Sequence, residues 1–532
     1  MDLGGDWLAA ASNEDLRREF ASADLDESFW QTVTVPGHWR SHPAFAESDG
    51  PILYRRRFST AGPRPDRRSF LVFDGIFYQG DVWLDGEYLG DTEGYFFPHA
   101  FEITAAVAAR TDHLMAVEVA CSRPPDLGAK RNLTGVFQHW DCIDPAWNPG
   151  GIWRSVRIEE TGPVRIRSLQ VLCRDATEDA ATLDLEATLD TVEPRAVLIR
   201  TTARQQGASA ISAARQEEHP LAAGVTRVRW RLAVERPALW WPHALGSQPL
   251  YEIDVGVRPL AESGRNGGTP AARPNGPSDQ GPESDKDNSG DQSDRRRVTT
   301  GLRQVRLRNF IATVNGERLF LKGINCAPTR RALAEATCDE LAGDVTLARQ
   351  AGLDLVRVHG HVTRPEFYEA ADRQGMLIWQ DLPLQGRYGQ VRRQAMTQAR
   401  QAVAALGHHP SVAVWCGHNE PFAADPPSGA APSPRAAARR VAGQVLPSWN
   451  KTGLDRSIRR ALERADGSRT VVAHSGVLPH PAWGTDSHLY FGWYHGEERD
   501  LPAWLARAPV VGRFVSEFGA QAVPDTADFL HP

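Results

Sequence analysis

Lysine is nearly missing from this chain. It occurs only at positions 130, 286, 322 and 451, so arginine carries almost all the positive charge. That is a compositional bias without a functional message. With 60 Lys+Arg against 66 Asp+Glu the formal net charge is -6, and the missing basic surplus argues against a nucleic-acid partner. The six cysteines (121, 142, 173, 326, 338 and 416) include no C-x-x-C pair. This fits reduced thiols better than a disulfide framework or a zinc site. No apolar run approaches the roughly 18–20 residues of a membrane span, so no membrane partner is expected. The first residues, MDLGGDWLAAASNEDLRREF, lack the basic region and apolar core of a secretory signal. A soluble, cytoplasmic protein without metal or cofactor is the expectation, with homo-oligomerisation left open.

What is present divides the chain. At 532 residues it is too long for one core and suggests roughly three domains. Residues 1–160 read as a jelly-roll-like β-sandwich, with short alternating runs such as Leu53 to Phe58 and Val82 to Leu84. Asp85-Gly86 between two such runs is a type I′ hairpin signal. The many aromatics here, Trp39, Phe77, Tyr95 and Trp153 among them, are core residues or a sugar-stacking platform. Residues 161–308 have the strand spacing of an immunoglobulin-like sandwich. Its run from 261 to 297, rich in Gly, Pro, Ser and Asp, is expected to be a disordered insertion at a hairpin tip.

From 309 to 532 strands alternate with helices, the grammar of a (β/α)8 TIM barrel. A hairpin turns at Asn315-Gly316. Strands are expected at Leu319–Asn325, Leu353–His359, Met376–Pro383, about Ser411–Cys416, Thr470–His474, Asp486–Trp493 and Phe514–Phe518. Helices are expected at Cys338–Ala351, Glu366–Gln374, Gln390–Leu406 and up to about Arg464. Seven strands are one short of closure. The expectation is a barrel without its last strand and helix, as in a fragment, a split gene product or a degenerate homologue.

Two strand ends carry a carboxylate. Ser411 to Pro421, SVAVWCGHNEP, is an apolar run stopping at Asn419-Glu420-Pro421, and Glu517 lies in RFVSEFG. On strands four and seven, Glu420 and Glu517 would converge over the mouth, where barrel chemistry sits. Paired carboxylates are the minimal apparatus for glycosidic cleavage. The bland alternatives are a loop carboxylate for Glu420 and an arginine-paired one for Glu517. Histidines 359, 361, 474 and 488 also fall near strand ends and leave a metal-dependent hydrolase as a rival. His408-His409-Pro410 reads as a helix-to-strand connection.

The chain resembles glycoside hydrolase family 2, the β-galactosidases, β-glucuronidases and β-mannosidases. The resemblance rests on Phe73-Asp74-Gly75, Val82 to Gly86, Asn148 to Arg154, Leu239 to Pro242, Gln248 to Tyr251, Asn419-Glu420-Pro421 and Ser516 to Gly519, in the family's order. It implies a retaining exo-β-glycosidase whose partner is a carbohydrate β-glycoside. Glu420 would be the acid/base and Glu517 the nucleophile. Asn419 would hold the sugar 2-hydroxyl, and Tyr490 would hold Glu517. Arg357 could pair with Glu517 and keep it ionised. Trp379, Asp381, His359, His361, His488 and Trp493 complete the expected substrate-binding set, with strand packing the alternative for Trp379. The motifs are closest to the β-mannosidase-like and β-glucuronidase-like branches. The missing barrel end keeps a non-catalytic carbohydrate-binding homologue as a further rival.

Overall fold

The computed structural model describes residues 1–62, 64–126, 130–140, 142–144, 146–260, 292–422, 435, 442–477, 486–492 and 497–519. The N-terminal part packs two antiparallel sheets. One has six strands in the order Gln31–Val35, Gly5–Ala11, Ile52–Ser59, Asp112–Ala120, Gln79–Leu84 and Glu87–Glu93. The other has His99–Glu102, Arg68–Phe73 and Val156–Thr161. The Asp85-Gly86 turn forms as expected, with φ of 53° and 86° at its two residues. Trp39, Phe77, Tyr95 and Trp153 are all buried in the core. They therefore fill the sandwich and offer no exposed ring for a sugar to stack on.

A second pair of sheets follows. Val164–Ala176, Ala180–Thr191 and Gly224–Glu235 face Ala213–Leu221, Arg195–Gln205, Tyr251–Pro259 and Asp294–Thr300 across a common core. Residues 261–291 of the anticipated insertion lie outside the described residues. Its expected end at 297 is too late, because Asp294 to Arg297 are already strand and pair with Tyr251–Pro259. Salt bridges from Arg295 and Arg297 to Asp254 reinforce that pairing.

The remaining chain begins with a meander, Val305–Arg308, Ile311–Val314 and Glu317–Leu319. The Asn315-Gly316 turn folds Glu317–Leu319 back on Ile311–Val314, so the first parallel strand starts later than Leu319. All seven parallel strands are present: β1 (Gly323–Cys326), β2 (Leu355–Val358), β3 (Leu377–Asp381), β4 (Val412–Cys416), β5 (Thr470–Val472), β6 (Ser487–Leu489) and β7 (Val515–Phe518). β2, β3 and β4 are buried at every position; β4 is apolar throughout, whereas β2 carries Arg357 and β3 ends in Gln380-Asp381. The helix Cys338–Gln350 starts on a Thr337/Glu340 capping box. Pro365–Gln374 ends at Gly375, whose φ of 71° suits glycine. Arg392–Leu406 and Asp455–Ala465 complete the helical layer.

The strands do not form a closed barrel among the described residues. β1 to β5 make one parallel sheet, whereas β6 and β7 make a separate pair. No ladder links β5 to β6 or β7 to β1 among the described residues; Asn325 Nδ2 reaches the Ser516 carbonyl at 3.2 Å across the latter gap. Without ladder partners there, Ile324 and Phe518 remain exposed. No described helix is long and apolar enough to cross a membrane.

The N-terminal sandwich and the parallel sheet share a single hydrophobic cluster. Tyr95 Oη accepts from Val362 N at 2.7 Å, and Val136 N donates to the Gly360 carbonyl at 3.2 Å. A Cβ on Gly135 would sit 1.7 Å from that carbonyl oxygen, so only glycine allows this approach.

Candidate active site

The polar cluster at the strand ends is organised by Arg357 on β2. Its Nη1 donates to Glu517 Oε1 at 2.7 Å, and its Nη2 donates to Asn419 Oδ1 at 2.7 Å. Its Nε donates to Asp381 at 3.2 and 3.0 Å. The guanidinium is buried and would lose its hydration without compensation. Asp381 and Glu517 more than offset that loss and hold its pKa well above the ordinary value. One buried cation thus ties together the ends of β2, β3, β4 and β7.

Glu517 is itself buried, and burial alone would raise its pKa. The charges of His488, Arg357 and His359 and the hydrogen bond from Tyr490 Oη outweigh burial and lower it to about 2. Glu517 is therefore a carboxylate at neutral pH. Asn419 is fully buried, and its Nδ2 donates to Gln385 Oε1 at 2.7 Å. Its amide orientation is thereby set by Arg357 on one side and Gln385 on the other.

Glu420 follows with φ of 44° and donates its backbone N–H to the Ser475 carbonyl at 3.1 Å. Its Oε1 lies 2.9 Å from His488 Nδ1. Glu420, Glu517 and His488 each place one polar side-chain atom within 4.8 Å of the others. His488 Nε2 is 3.0 Å from Ser475 Oγ and 3.4 Å from Glu517 Oε1. Ser475 Oγ gives its only proton to Asp486 at 2.5 Å, so toward His488 it can only accept. Nε2 of the imidazole is then a donor. Burial opposes the charged ring, but Glu517, Glu420 and Asp486 prevail and raise its pKa.

The other expected residues divide between contact and support. His359 Nδ1 stands 3.6 Å from Glu517 and 3.7 Å from Asp381. Asp381 and Trp379 are buried beside Arg357, with 0% and 1% exposure. Trp379 Nε1 donates to Asp381 at 2.9 Å and its ring stacks on Phe514, so these two residues brace Arg357. His361 is turned away, with Nδ1 at 2.9 Å from the His359 carbonyl and its ring against Phe137 of the sandwich. Burial lowers its pKa to about 4. Trp493 lies outside the described residues.

The four histidines of the metal reading do not converge. His474 Nδ1 and His418 Nδ1 instead share Asp455, at 3.0 and 2.8 Å. The remaining one, His488, lies with the two carboxylates Glu420 and Glu517, and the other three histidines are not part of that group. His409 Nδ1 bonds Asp372 at 2.6 Å in the connection leading to β4, as its sequence suggested.

Gln385, Ser475, Gly476 and Asp486 carry no signal in the sequence. Gly476 has φ of 76°, and a Cβ there would fall 2.5 Å from His488 Cε1 and 3.0 Å from Glu420 Cγ. A Ser-Gly pair after a short strand looks like an ordinary turn until the fold brings β6 against it.

Two β-sandwiches followed by parallel strands, with Glu420 and Glu517 brought together at the strand ends, define a multidomain β plus α/β chain. Comparison with known proteins narrows this. Residues 46–154 match the glycosyl hydrolase 2 galactose-binding domain-like model, and residues 164–263 match the glycosyl hydrolases family 2 model. Both matches are to domains of glycoside hydrolase family 2, and together they lie in the two β-sandwiches that precede the parallel strands. It is 24% identical over 533 residues to beta-mannosidase B of Aspergillus clavatus, covering 90% of this chain and 56% of that protein. It is 25% identical over 529 residues to beta-mannosidase B of Thermothelomyces thermophilus, covering 88% of this chain and 55% of that one. The chain thus spans little more than half the length of these curated relatives.

Among solved structures, beta-D-mannosidase from Dictyoglomus thermophilum superposes with a TM-score of 0.73 at 19% identity, covering 100% of this chain and 64% of that one. Beta-glucuronidase from Bacteroides uniformis gives 0.73 at 17% identity, covering 98% and 59%. At such identity these likenesses speak to fold alone.

Proposed function

We propose that this chain is a retaining β-glycosidase acting on terminal β-linked sugars. We read it as three domains, 1–160, 161–308 and 309–532, the last a barrel-type arrangement of parallel strands. The observation that carries the function is the pairing of Glu420 and Glu517, with one oxygen of each within 4.8 Å of the other's. Carboxyls about 5–5.5 Å apart suit double displacement, whereas inversion needs room for a water between them.

In this reading Glu517, held ionised by Arg357, His488 and Tyr490, attacks the anomeric carbon and forms a glycosyl-enzyme. Glu420 protonates the departing glycosidic oxygen, then takes a proton from the water that releases the sugar. Asn419, fixed between Arg357 and Gln385, hydrogen-bonds the 2-hydroxyl. His359 and His488 line the same cluster. Among sugars, β-mannoside is favoured by the two beta-mannosidase relatives, with β-glucuronide and β-galactoside behind it. The test is a panel of nitrophenyl β-mannoside, β-glucuronide, β-galactoside and β-glucoside, followed by NMR of the first-formed sugar. Turnover with retained β-configuration supports the proposal; a first-formed α-anomer overturns the double displacement.

A second reading, a carbohydrate-binding homologue without turnover, draws on the separation of the β6–β7 pair from the five-stranded sheet. Saturable glycoside binding without product, unchanged in Glu420→Gln, would favour it.

A further inference from the structure

Asp486 immediately precedes β6 and is fully buried. One oxygen, Oδ2, collects two hydroxyl protons: Ser475 Oγ at 2.5 Å and Ser516 Oγ. Those serines belong to different walls of the site. Ser475 follows β5, accepts from Glu420 N through its carbonyl and donates its own N–H to the His418 carbonyl at 2.9 Å. Ser516 lies on β7 directly before Glu517. Asp486 is thus the acceptor on which the strand carrying Glu517 and the segment holding Glu420 both hang.

The contact also has a direction. A serine hydroxyl has one proton and a carboxylate has none. Because the Ser475 proton is committed to Asp486, His488 must supply the proton on Nε2. Nδ1 faces Glu420 Oε1 at 2.9 Å, and the neighbouring carboxylates favour a proton there too whenever Glu420 is ionised. The groups facing this imidazole are Glu420 and Ser475 on one side, Glu517 on β7, and Asp486 and Tyr490 on its own segment. Gly476 lies against the ring edge, where a Cβ would fall 2.5 Å from His488 Cε1. Asp486 touches neither Glu420 nor Glu517 and acts through its neighbours.

We propose that Asp486 is a positioning residue that fixes the proton polarity of the Asp486–Ser475–His488–Glu420 chain, keeping both imidazole N–H groups aimed at the two active carboxylates. This rests on the glycosidase reading for its consequence, but its physical content, the state of His488, is independent of turnover. A reversed chain would leave His488 neutral and put a lone pair opposite Glu517. The nucleophile would then lose one of its supporting charges, and Glu420 would lose a fixed donor.

The test uses the full chain with ring-labelled histidine, His488 being assigned by its loss in His488→Gln. The imidazole titration is followed by NMR in wild type, Asp486→Asn, Ser475→Ala and Ser475→Thr. The titration midpoint is expected to fall by at least about one pH unit in Asp486→Asn and Ser475→Ala, the scale on which a neighbouring charge or acceptor acts. It should stay near wild type in Ser475→Thr, which keeps the hydroxyl. Where the aryl glycosides are turned over, the alkaline limb of kcat/KM should move down with the midpoint, with kcat affected more than KM. A merely structural role would lower both variants' stability without moving either quantity. An unmoved midpoint in Asp486→Asn and Ser475→Ala overturns the proposal, and if Asp486→Asn does not fold, Ser475→Ala decides alone. Absence of turnover in the wild type would count against the glycosidase reading only, because the midpoint still decides the role of Asp486.

Discussion

Arg357 Nη1 donates to Glu517 Oε1 at 2.7 Å, and both side chains are almost wholly withdrawn from solvent, at 2% and 8% exposure. A buried ion pair of this kind is costly to form and costlier to break from one side, since the surviving partner is left charged and without water. Arg357 has two carboxylate partners, Asp381 and Glu517, so its removal strands both.

Arg357→Met is therefore expected to destabilise the protein by about 3–5 kcal/mol, the range for breaking a buried pair. Denaturant unfolding followed by tryptophan fluorescence measures it. Arg357→Lys should recover part of that loss, because one ammonium can meet one carboxylate but cannot fork to Asp381, Asn419 and Glu517 together. Equal destabilisation by Met and Lys would show that shape, not charge, is what the site needs from Arg357.

Charge at Glu517 and His488 should bound the stability of the fold on two sides. The carboxyl of Glu517 has a folded pKa of about 2 against an ordinary 4.5. A depressed carboxylate contributes stability that is present above the unfolded value and is lost as pH falls through the folded one, so the window runs from about pH 4.5 down to about 2. His488 is shifted upward, with the opposite sign. Its contribution is complete below the unfolded value near 6.5 and fades as pH rises through the folded value. Unfolding free energy measured from pH 2 to 9 should thus decline at both ends. The acid decline should shrink in Glu517→Gln and the alkaline decline in His488→Gln; profiles parallel to wild type would contradict the electrostatic account.

Much of this site was visible along the chain, because each strand end is a local event. An apolar run halted by Asn419-Glu420-Pro421 marks a buried strand delivering polar groups to an edge, whatever surrounds it. The Asn315-Gly316 and Asp85-Gly86 turns are equally local. The pairing of Arg357 with Glu517 could be anticipated once both sat at strand ends. What could not be read were consequences of depth. Nothing in the β3 sequence says that Asp381 and Trp379 are almost without exposure and bonded to each other and to Arg357. His361, two residues from His359, packs its ring against Phe137 in a short 3-10 helix of the N-terminal part. The split of the strands was hidden for a similar reason: counting seven strands does not say which edges meet, and among the described residues β6 and β7 pair only with each other.

Trp379 separates support from recognition. Its ring is buried between Phe514 and the Arg357 guanidinium, and its indole N–H is spent on Asp381. Trp379→Ala is expected to cost about 3–5 kcal/mol of stability, as for other buried large-to-small changes. Trp379→Phe should keep most of the packing and lose chiefly the hydrogen bond, about 1–2 kcal/mol. Calorimetry compares the two. A residue acting as a sugar platform would instead raise KM while leaving the melting temperature in place, and that result would move Trp379 back to the surface of the site.

Azide distinguishes the two carboxylates by stereochemistry. In the proposed double displacement Glu517 forms the bond to the anomeric carbon, so Glu517→Ala should lose turnover by at least three orders of magnitude, and small anions should occupy the space left by the side chain. Azide then attacks the glycoside directly and yields a glycosyl azide of inverted configuration. In Glu420→Ala the nucleophile is intact, and with a nitrophenyl leaving group that needs little protonation the glycosyl-enzyme still forms. Its release by water should slow by about 10²–10⁴-fold, the usual worth of general acid/base assistance. Azide, which needs no base, should restore turnover and yield the product of retained configuration. NMR of the anomeric proton reads both outcomes. Inverted product from Glu420→Ala and retained product from Glu517→Ala would exchange the two roles. Undiminished turnover in Glu517→Ala would remove Glu517 from the chemistry altogether and leave its contact with Arg357 as support for the fold.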